Sequence, residues 1–407
     1  MTGRQAAVIG LCTLMAMIDG LDTQTIGLVA PAIASDWHVA PAAFGPVFGS
    51  SLASGMIGAL LLGQAADRFG RKAVLGVAMV LFALSSLATP LTHTLRALLA
   101  VRLVTGFGLG GAIPIIIAIT SEAAPSALRL NIVSLMYCGF PLGSMGGSLA
   151  AARMIPSLGW SSVFYLGGAI PLLLLPLVAL LVPAARKTAR PAAAATSPRP
   201  TVTALFTDGR AQGTLLLWAA LFLSLLLTVF LVNWMPLVTH EAGLGMATAV
   251  LGVGALSFGG IVGTFLIGWA CKRARSVLPI AISYALGALA VCAIGLATHS
   301  STLLLGTAFI AGLLTVGSQM CTIALSASFY ESELRATGVG WAFGIGRIGA
   351  VVGPVLGGVL IGYGISTPAL FLTAGPVALG AALAVLAAGQ SANRNFPGRL
   401  FVARAPR

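Results

Sequence analysis

Gly63-Gln64-Ala65-Ala66-Asp67-Arg68-Phe69-Gly70-Arg71-Lys72 puts four charges into six residues between two apolar runs, 44–65 and 73–91. Each run is close to the 20 or so residues that an apolar helix needs to cross a bilayer core. The charged stretch therefore reads as a turn at a membrane surface with a span on either side. Lys and Arg collect in the loops on the cytoplasmic side, which predicts that this turn lies inside the cell.

The same alternation runs outward along the whole chain. Only 8% of the 407 residues are charged, 58% are hydrophobic and the mean hydropathy is +1.02, a balance that leaves too little polar surface for a soluble domain. Breaks at polar, Pro or charged clusters predict twelve spans near 7–30, 44–65, 73–91, 95–119, 131–152, 162–182, 213–236, 247–270, 277–298, 302–326, 336–361 and 366–388. The first carries two aspartates and no small-residue cleavage pattern, so it reads as a span and not as a signal peptide. With the N-terminus inside, eighteen of the 22 basic residues fall on cytoplasmic segments, Arg96 and Arg153 at outer ends, and Arg102 and Arg347 within spans. Both termini are thus expected in the cytoplasm. The net charge of +13 is accounted for by this topology and by anionic membrane lipids, with no nucleic acid implied. Five cysteines show no CxxC pairing and no cluster with the four histidines, so neither a metal nor a cofactor is expected.

The longest polar stretch, within 184–212, is rich in Ala, Pro and Arg and cannot bury a core. It divides the chain into a first bundle, 1–183, a cytoplasmic linker, 184–212, and a second bundle with a short tail, 213–407. The halves repeat each other. Gly58 and Gly63 correspond to Gly263 and Gly268 at an offset of 205, and Gly106, Arg129 and Gly147 correspond to Gly312, Arg335 and Gly353 at an offset of 206. Related bundles of six helices are the expected architecture of an alternating-access carrier, although the repeats alone leave a channel open. Small-xxx-small repeats at Gly106/Gly110, Gly143/Gly147, Gly340/Gly344 and Gly349/Gly353/Gly357 read as close-packing seams.

The Gly63–Lys72 stretch resembles the cytoplasmic signature of the major facilitator superfamily. The resemblance implies an all-α membrane protein with that fold, twelve transmembrane helices in two pseudo-symmetric six-helix bundles. It also implies an inner gate built on Gly63, Asp67, Arg68, Gly70 and Arg71: Gly63 would let helices approach, and Asp67 would face a helix N-terminus or a cation. In the second half Lys272 stands where the aspartate would be, so the matching latch is expected to be weak or absent. Asp19-Gly20-Leu21-Asp22-Thr23-Gln24 resembles the first-helix motif of the aromatic acid/proton symporter family. Arg102 through Gly111, Ser121-Glu122, Glu333 through Gly338 and Gly346-Arg347-Ile348-Gly349 agree with it. That family implies import of a small organic anion, an aromatic carboxylate for choice, with protons as the coupling ion, by a monomer in a bacterial inner membrane.

The residues themselves point the same way. Most of the nine acids lie in loops or at span ends, but a rise of 1.5 Å per residue places Asp19 roughly 18 Å and Asp22 roughly 22 Å into the first span. Their i, i+3 spacing puts both carboxyls on one face. An ionisable group at that depth costs a few kcal/mol and is a functional hypothesis by default. Two such carboxyls can hold a proton in one conformation and release it when a cation or water arrives; polar groups satisfied around a kink at Gly20 are the alternative. Arg347, about 17 Å into the eleventh span, offers a forked donor for a carboxylate, either as substrate anchor or as a counter-ion that the substrate displaces. Phe343, four residues earlier, either stacks on a substrate ring or faces lipid. Arg102 either snorkels outward or faces the cavity. Glu122 and Arg129, near the Asp67 turn, are expected to join it in a charge network, with Arg335 as the second-half counterpart. A proton-coupled exporter, a membrane-embedded enzyme and a transporter-like receptor are the competing classes; the exporter needs no buried arginine, and no nucleophile or cofactor motif supports the enzyme.

Overall fold

Why these apolar runs become helices is a consequence of their solvent: a bilayer offers the backbone no hydrogen bonds, so each segment must satisfy its own. The computed structural model describes residues 2–125, 128–183, 202–297, 299–331 and 334–395. The segment 184–201, most of the expected linker, lies outside them, as do Glu333 and the tail from residue 396. Fourteen α-helices occur among the described residues: α1 (Gly3–Trp37), α2 (Gly45–Phe69), α3 (Arg71–Ala88), α4 (Leu95–Ala123), α5 (Arg129–Tyr137), α6 (Gly139–Leu158), α7 (Ser161–Leu181), α8 (Ala211–Glu241), α9 (Met246–Ala274), α10 (Leu278–Leu296), α11 (Ser301–Ala311), α12 (Gly317–Phe329), α13 (Arg335–Gly362) and α14 (Thr367–Asn395). They make twelve spans long and apolar enough to cross a membrane. The fifth is α5 with α6, and the tenth is α11 and α12 joined by a π-helical turn, Gly312–Val316.

Several helices outrun the expected spans by a turn or more. Hydropathy marks only the part inside lipid, whereas α1 continues past Pro31 to Trp37 and starts on a capping box, in which Thr2 and Gln5 each accept from the other's backbone N–H. Asp36, in the last turn of α1, accepts from the Trp160 indole at 3.3 Å. The turn in the opening motif is a single residue. Gly70, at φ 95°, ends α2 and precedes the first residue of α3, a backbone state that L side chains rarely adopt.

Contacts group the chain into two units, the first holding the first six spans with Asn233–His240 and Gly245–Gly254, the second the remainder. In the first, apolar side chains of α1, α3, α4 and α7 form one core, including Met15, Leu75, Phe82 and Ile116. In the second, α8, α9, α10, α12 and α14 form another around Leu217, Tyr284, Phe329 and Val385. The outward apolar side chains, such as Leu60, Leu173, Phe265 and Leu383, stay exposed, as lipid-facing residues do.

Lipid is as apolar as leucine, so close helix approach does the work that water exclusion does elsewhere. A Cβ on Gly58 would strike the Phe107 carbonyl, one on Gly106 the Ser51 carbonyl, and one on Gly143 the backbone of Met17. The second unit repeats each contact: Gly263 on Leu313, Gly312 on Leu256, Gly349 on Phe222. Two expected seams differ. Gly63 has only the Pro114 side chain near its Cβ position, at 3.9 Å, and Gly340 and Gly344 face nothing within 4 Å. The tight approach of α2 to α4 falls earlier on α2, at Gly55 and Gly58. At Gly20 α1 continues as helix, and the missing side chain admits the Phe140 carbonyl.

Candidate functional site

In the first unit, α1 and α4 bring an acid and a base together away from water. Arg102 is fully buried, and its Nη2 donates to Asp22 Oδ2 at 3.1 Å, Asp22 being 1% exposed. The outward snorkelling considered for Arg102 does not occur, because Asp22 and the surrounding groups hold it inside the bundle. Its Nε donates to Ser51 Oγ at 3.1 Å, and that hydroxyl donates to the Arg102 carbonyl at 3.1 Å. The guanidinium carbon stands 5.8 Å from the Phe164 ring centre. Ser86 Oγ donates to Asp22 Oδ1 and to the Phe164 carbonyl, each at 3.4 Å. Arg102 Nη1 is buried with no hydrogen-bond partner among the described residues. A buried ion pair gains little over an apolar pair, but loss of one charge strands the other at a cost of about 3–5 kcal/mol. Protonation of Asp22 removes one of these charges, so this pair can couple a proton to a rearrangement.

Asp19 is buried one turn before Asp22 and accepts from Thr23 Oγ1 at 3.5 Å. It also lines a small cavity whose other walls are apolar, among them Met79, Phe82, Ile116 and Pro171. The expected pair of like charges thus takes a different form: the ion-pair partner of Asp22 is Arg102, supplied by another helix.

The second unit carries the opposite arrangement. Arg347 is half-buried on α13, its guanidinium carbon 5.2 Å from the centre of the half-buried Phe343 ring. Among the described residues no carboxylate pairs with it. Phe343 therefore packs under the cation of its own helix, a cation–π contact worth about 0.5–2 kcal/mol. Nearby in chain order, α12 contributes Gln319, whose Oε1 accepts from Thr228 Oγ1 of α8.

At the α2–α3 turn the geometry redistributes the expected network. Glu122, at the end of α4, pairs with Arg71 and not with Arg129. Arg71 opens α3, which packs along α4, whereas Arg129 opens α5 and is exposed. Asp67 is exposed and makes no ion pair among the described residues. Arg68 lies over Phe69, its guanidinium carbon 5.3 Å from the ring centre, and Lys72 donates to the Ala179 carbonyl near the end of α7. In the second unit Arg335 is exposed with no ion pair among the described residues. A different clasp is present there. Buried Arg210 bonds Asp208 and Thr207 and lies 3.7 Å from Glu331, and it ties Val202–Phe206 to the start of α8. Beside it Tyr330, just past α12, donates to Thr214 Oγ1 at 3.3 Å, and burial pushes its phenol above the usual range.

Ser51, Ser86, Phe164, Thr228, Gln319 and Arg210 were not legible as site residues. Hydroxyls and single aromatics are common in spans, and nothing local marks the ones that meet a charge; Gln319, an amide within an apolar run, carried the one signal that could have been read.

The sequence profile described as Major Facilitator Superfamily matches residues 12–320 and 255–400. A gallate transporter of Pseudomonas putida is 37% identical over 97% of this chain and 94% of its own length. A 3-(3-hydroxy-phenyl)propionate transporter of Escherichia coli K12 is 38% identical over 94% of each chain, and a 4-hydroxybenzoate transporter of Pseudomonas putida 36% over 88% and 87%. Among solved structures, a bacterial homolog of the human lysosomal transporter Spinster superposes with a TM-score of 0.78 at 16% identity, covering 99% of this chain and 100% of that one. The D-xylose–proton symporter gives 0.72 at 18%, covering 93% and 96%. At these identities the superpositions speak for the fold alone. A repeated six-span architecture, a buried ion pair on the first and fourth spans, an arginine on the eleventh without an ion pair among the described residues and relatives matched over nearly their whole length lead to one conclusion: the chain belongs to the major facilitator superfamily of membrane transporters and resembles its aromatic acid carriers.

Proposed function

We propose that this protein imports a ring-hydroxylated aromatic carboxylate together with protons, by alternating access, across a bacterial inner membrane with both termini in the cytoplasm, and that it does so as a monomer. The observation that carries the reading is the division of charge at membrane depth. One unit holds a balanced pair, Asp22 and Arg102, and the other holds Arg347, a cation without an anion among the described residues. An uncompensated guanidinium at that depth is costly and is well matched to a carboxylate by its forked donors. The relatives reinforce the choice of substrate class, since gallate, 4-hydroxybenzoate and 3-(3-hydroxy-phenyl)propionate are each a ring, a carboxylate and at least one hydroxyl.

In this mechanism Arg347 takes the carboxylate and the Phe343 ring supports the cation. Asp22 takes the proton, which frees Arg102 from its pair; Asp19, one turn away, is the second carboxyl through which a proton passes. The pair of half-buried Arg71 with exposed Glu122 and the Asp67 turn gate the inner side. One proton carried with one monoanion moves no net charge, so the driving force is about 1.4 kcal/mol per pH unit. A second proton adds about 2.3 kcal/mol per 100 mV.

The test is internal pH in proteoliposomes given a panel of aromatic and aliphatic carboxylates outside, with Asp22→Asn and Arg347→Ala beside the native protein. Acidification by aromatic acids that both variants abolish is the expected result. Folded protein that acidifies with none of them, or with aliphatic acids equally, overturns the reading.

A further inference from the structure

We propose that Gln319, positioned by Thr228, is the specificity-determining residue that distinguishes a ring-hydroxylated acid from its unsubstituted parent; the proposal rests on the aromatic-acid reading above. Gln319 is 4% exposed and, by helical rise, about 15 Å from the Phe329 end of its span. A primary amide there needs partners for an acceptor and two donors. Thr228 Oγ1 donates to Oε1, and no other bond to the Gln319 side chain is present among the described residues. That leaves the amide N–H groups to donate, the chemistry that suits a phenol oxygen.

The repeat argues against a merely structural amide. At the offsets that relate the two halves, Thr228 corresponds to Thr23 and Gln319 to Ile113, so the same fold is built in the first unit with an apolar side chain at this place. The π-helical turn Gly312–Val316 lies directly before α12, whereas the equivalent stretch of α4 is continuous α-helix. A π turn rotates the residues downstream of it relative to a straight helix and is frequent at functional sites. The rotation that aims Gln319 toward α8 is therefore particular to the second unit.

The relation to Arg347 comes from how α8 and α13 pack. A Cβ on Gly346 would meet Leu225 and Leu221, and one on Gly353 would meet the Leu226 backbone, so the helices run side by side in the same direction. A Cβ on Gly338 of α13 would meet the Tyr330 ring at the end of α12, so Gln319, eleven residues before Tyr330, and Arg347, nine residues after Gly338, stand within about 3 Å of one level along the second unit. Arg347 takes the carboxylate at one end, and the Gln319 amide takes the hydroxyl oxygen at the other.

The experiment is reconstituted uptake of benzoate, 3-hydroxybenzoate and 4-hydroxybenzoate by native protein, Gln319→Leu and Thr228→Val, read as kcat/KM for each acid. The native protein is expected to prefer a hydroxylated acid. Gln319→Leu should lower that preference by tenfold or more while benzoate uptake stays within about twofold, because a site built to bond a hydroxyl discriminates strongly through it. Thr228→Val should act in the same direction and less. Should the leucine variant fail to insert, Gln319→Asn, which shortens the amide, is expected to shift the same ratio. A native protein without the preference, an unchanged ratio, or equal loss on all three acids overturns the proposal while leaving aromatic-acid transport standing. Native protein that carries none of the acids overturns the aromatic-acid reading and this proposal with it.

Discussion

Asp22 and Arg102 show how much a single charge is worth when water is absent. Each is buried, and each is compensated chiefly by the other. Arg102→Ala is expected to destabilise the folded protein by about 3–5 kcal/mol, since it strands Asp22. The double change Asp22→Leu with Arg102→Met should recover most of that loss while abolishing proton coupling. Chemical unfolding in mixed detergent measures the first effect and proteoliposome pH the second. A double variant as unstable as Arg102→Ala would mean that the serines and Phe164 around the guanidinium matter more than the ion pair itself. Both residues stand out in the sequence as charges inside apolar runs. Their partnership does not, because 80 positions separate them and the link exists only once α1 lies against α4.

Helix against helix, the glycines decide. They carry no side chain to bury, yet they set how close two backbones come. Gly58→Ala and Gly263→Ala should each destabilise by about 1–3 kcal/mol, because the new methyl meets a carbonyl that cannot move away without shifting a helix. Gly340→Ala, with open space around it, should be neutral or stabilising by about 0.5–1 kcal/mol, the helical penalty of glycine relative to alanine. Unfolding of the three variants side by side checks this, and equal effects at all three positions would sink it. Spacing alone grouped Gly340 with the close-packing glycines; the periodicity was present, but which face of α13 meets a neighbour depends on its rotation, and no residue of α13 by itself reports that.

Over the whole molecule, each unit contains its own core, and the segment between them is polar and low in apolar content. A chain cut within 184–201, with both fragments expressed together, is expected to recover uptake at half the intact rate or better, since no element of either core is broken. Measured uptake below one tenth of the intact rate, with both fragments present in the membrane, would show that the segment has a structural task. The clasp of Arg210 on Asp208 and Glu331 should remain with the second fragment.

The number of spans, their order, the internal repeat and the placing of Asp19, Asp22, Arg102 and Arg347 within spans were all determined by the sequence, because hydropathy and charge are local quantities that mark which segments are apolar enough to cross a bilayer. Position around each helix is a different matter. It depends on which glycine faces which carbonyl and on a π turn that no composition announces, and so it was the tertiary structure that paired Arg102 with Asp22, gave Glu122 to Arg71, joined Gln319 to Thr228 and left Arg347 over Phe343. In a medium where every unpaired charge is costly, those rotations settle which groups are satisfied within the fold and which remain to meet a substrate.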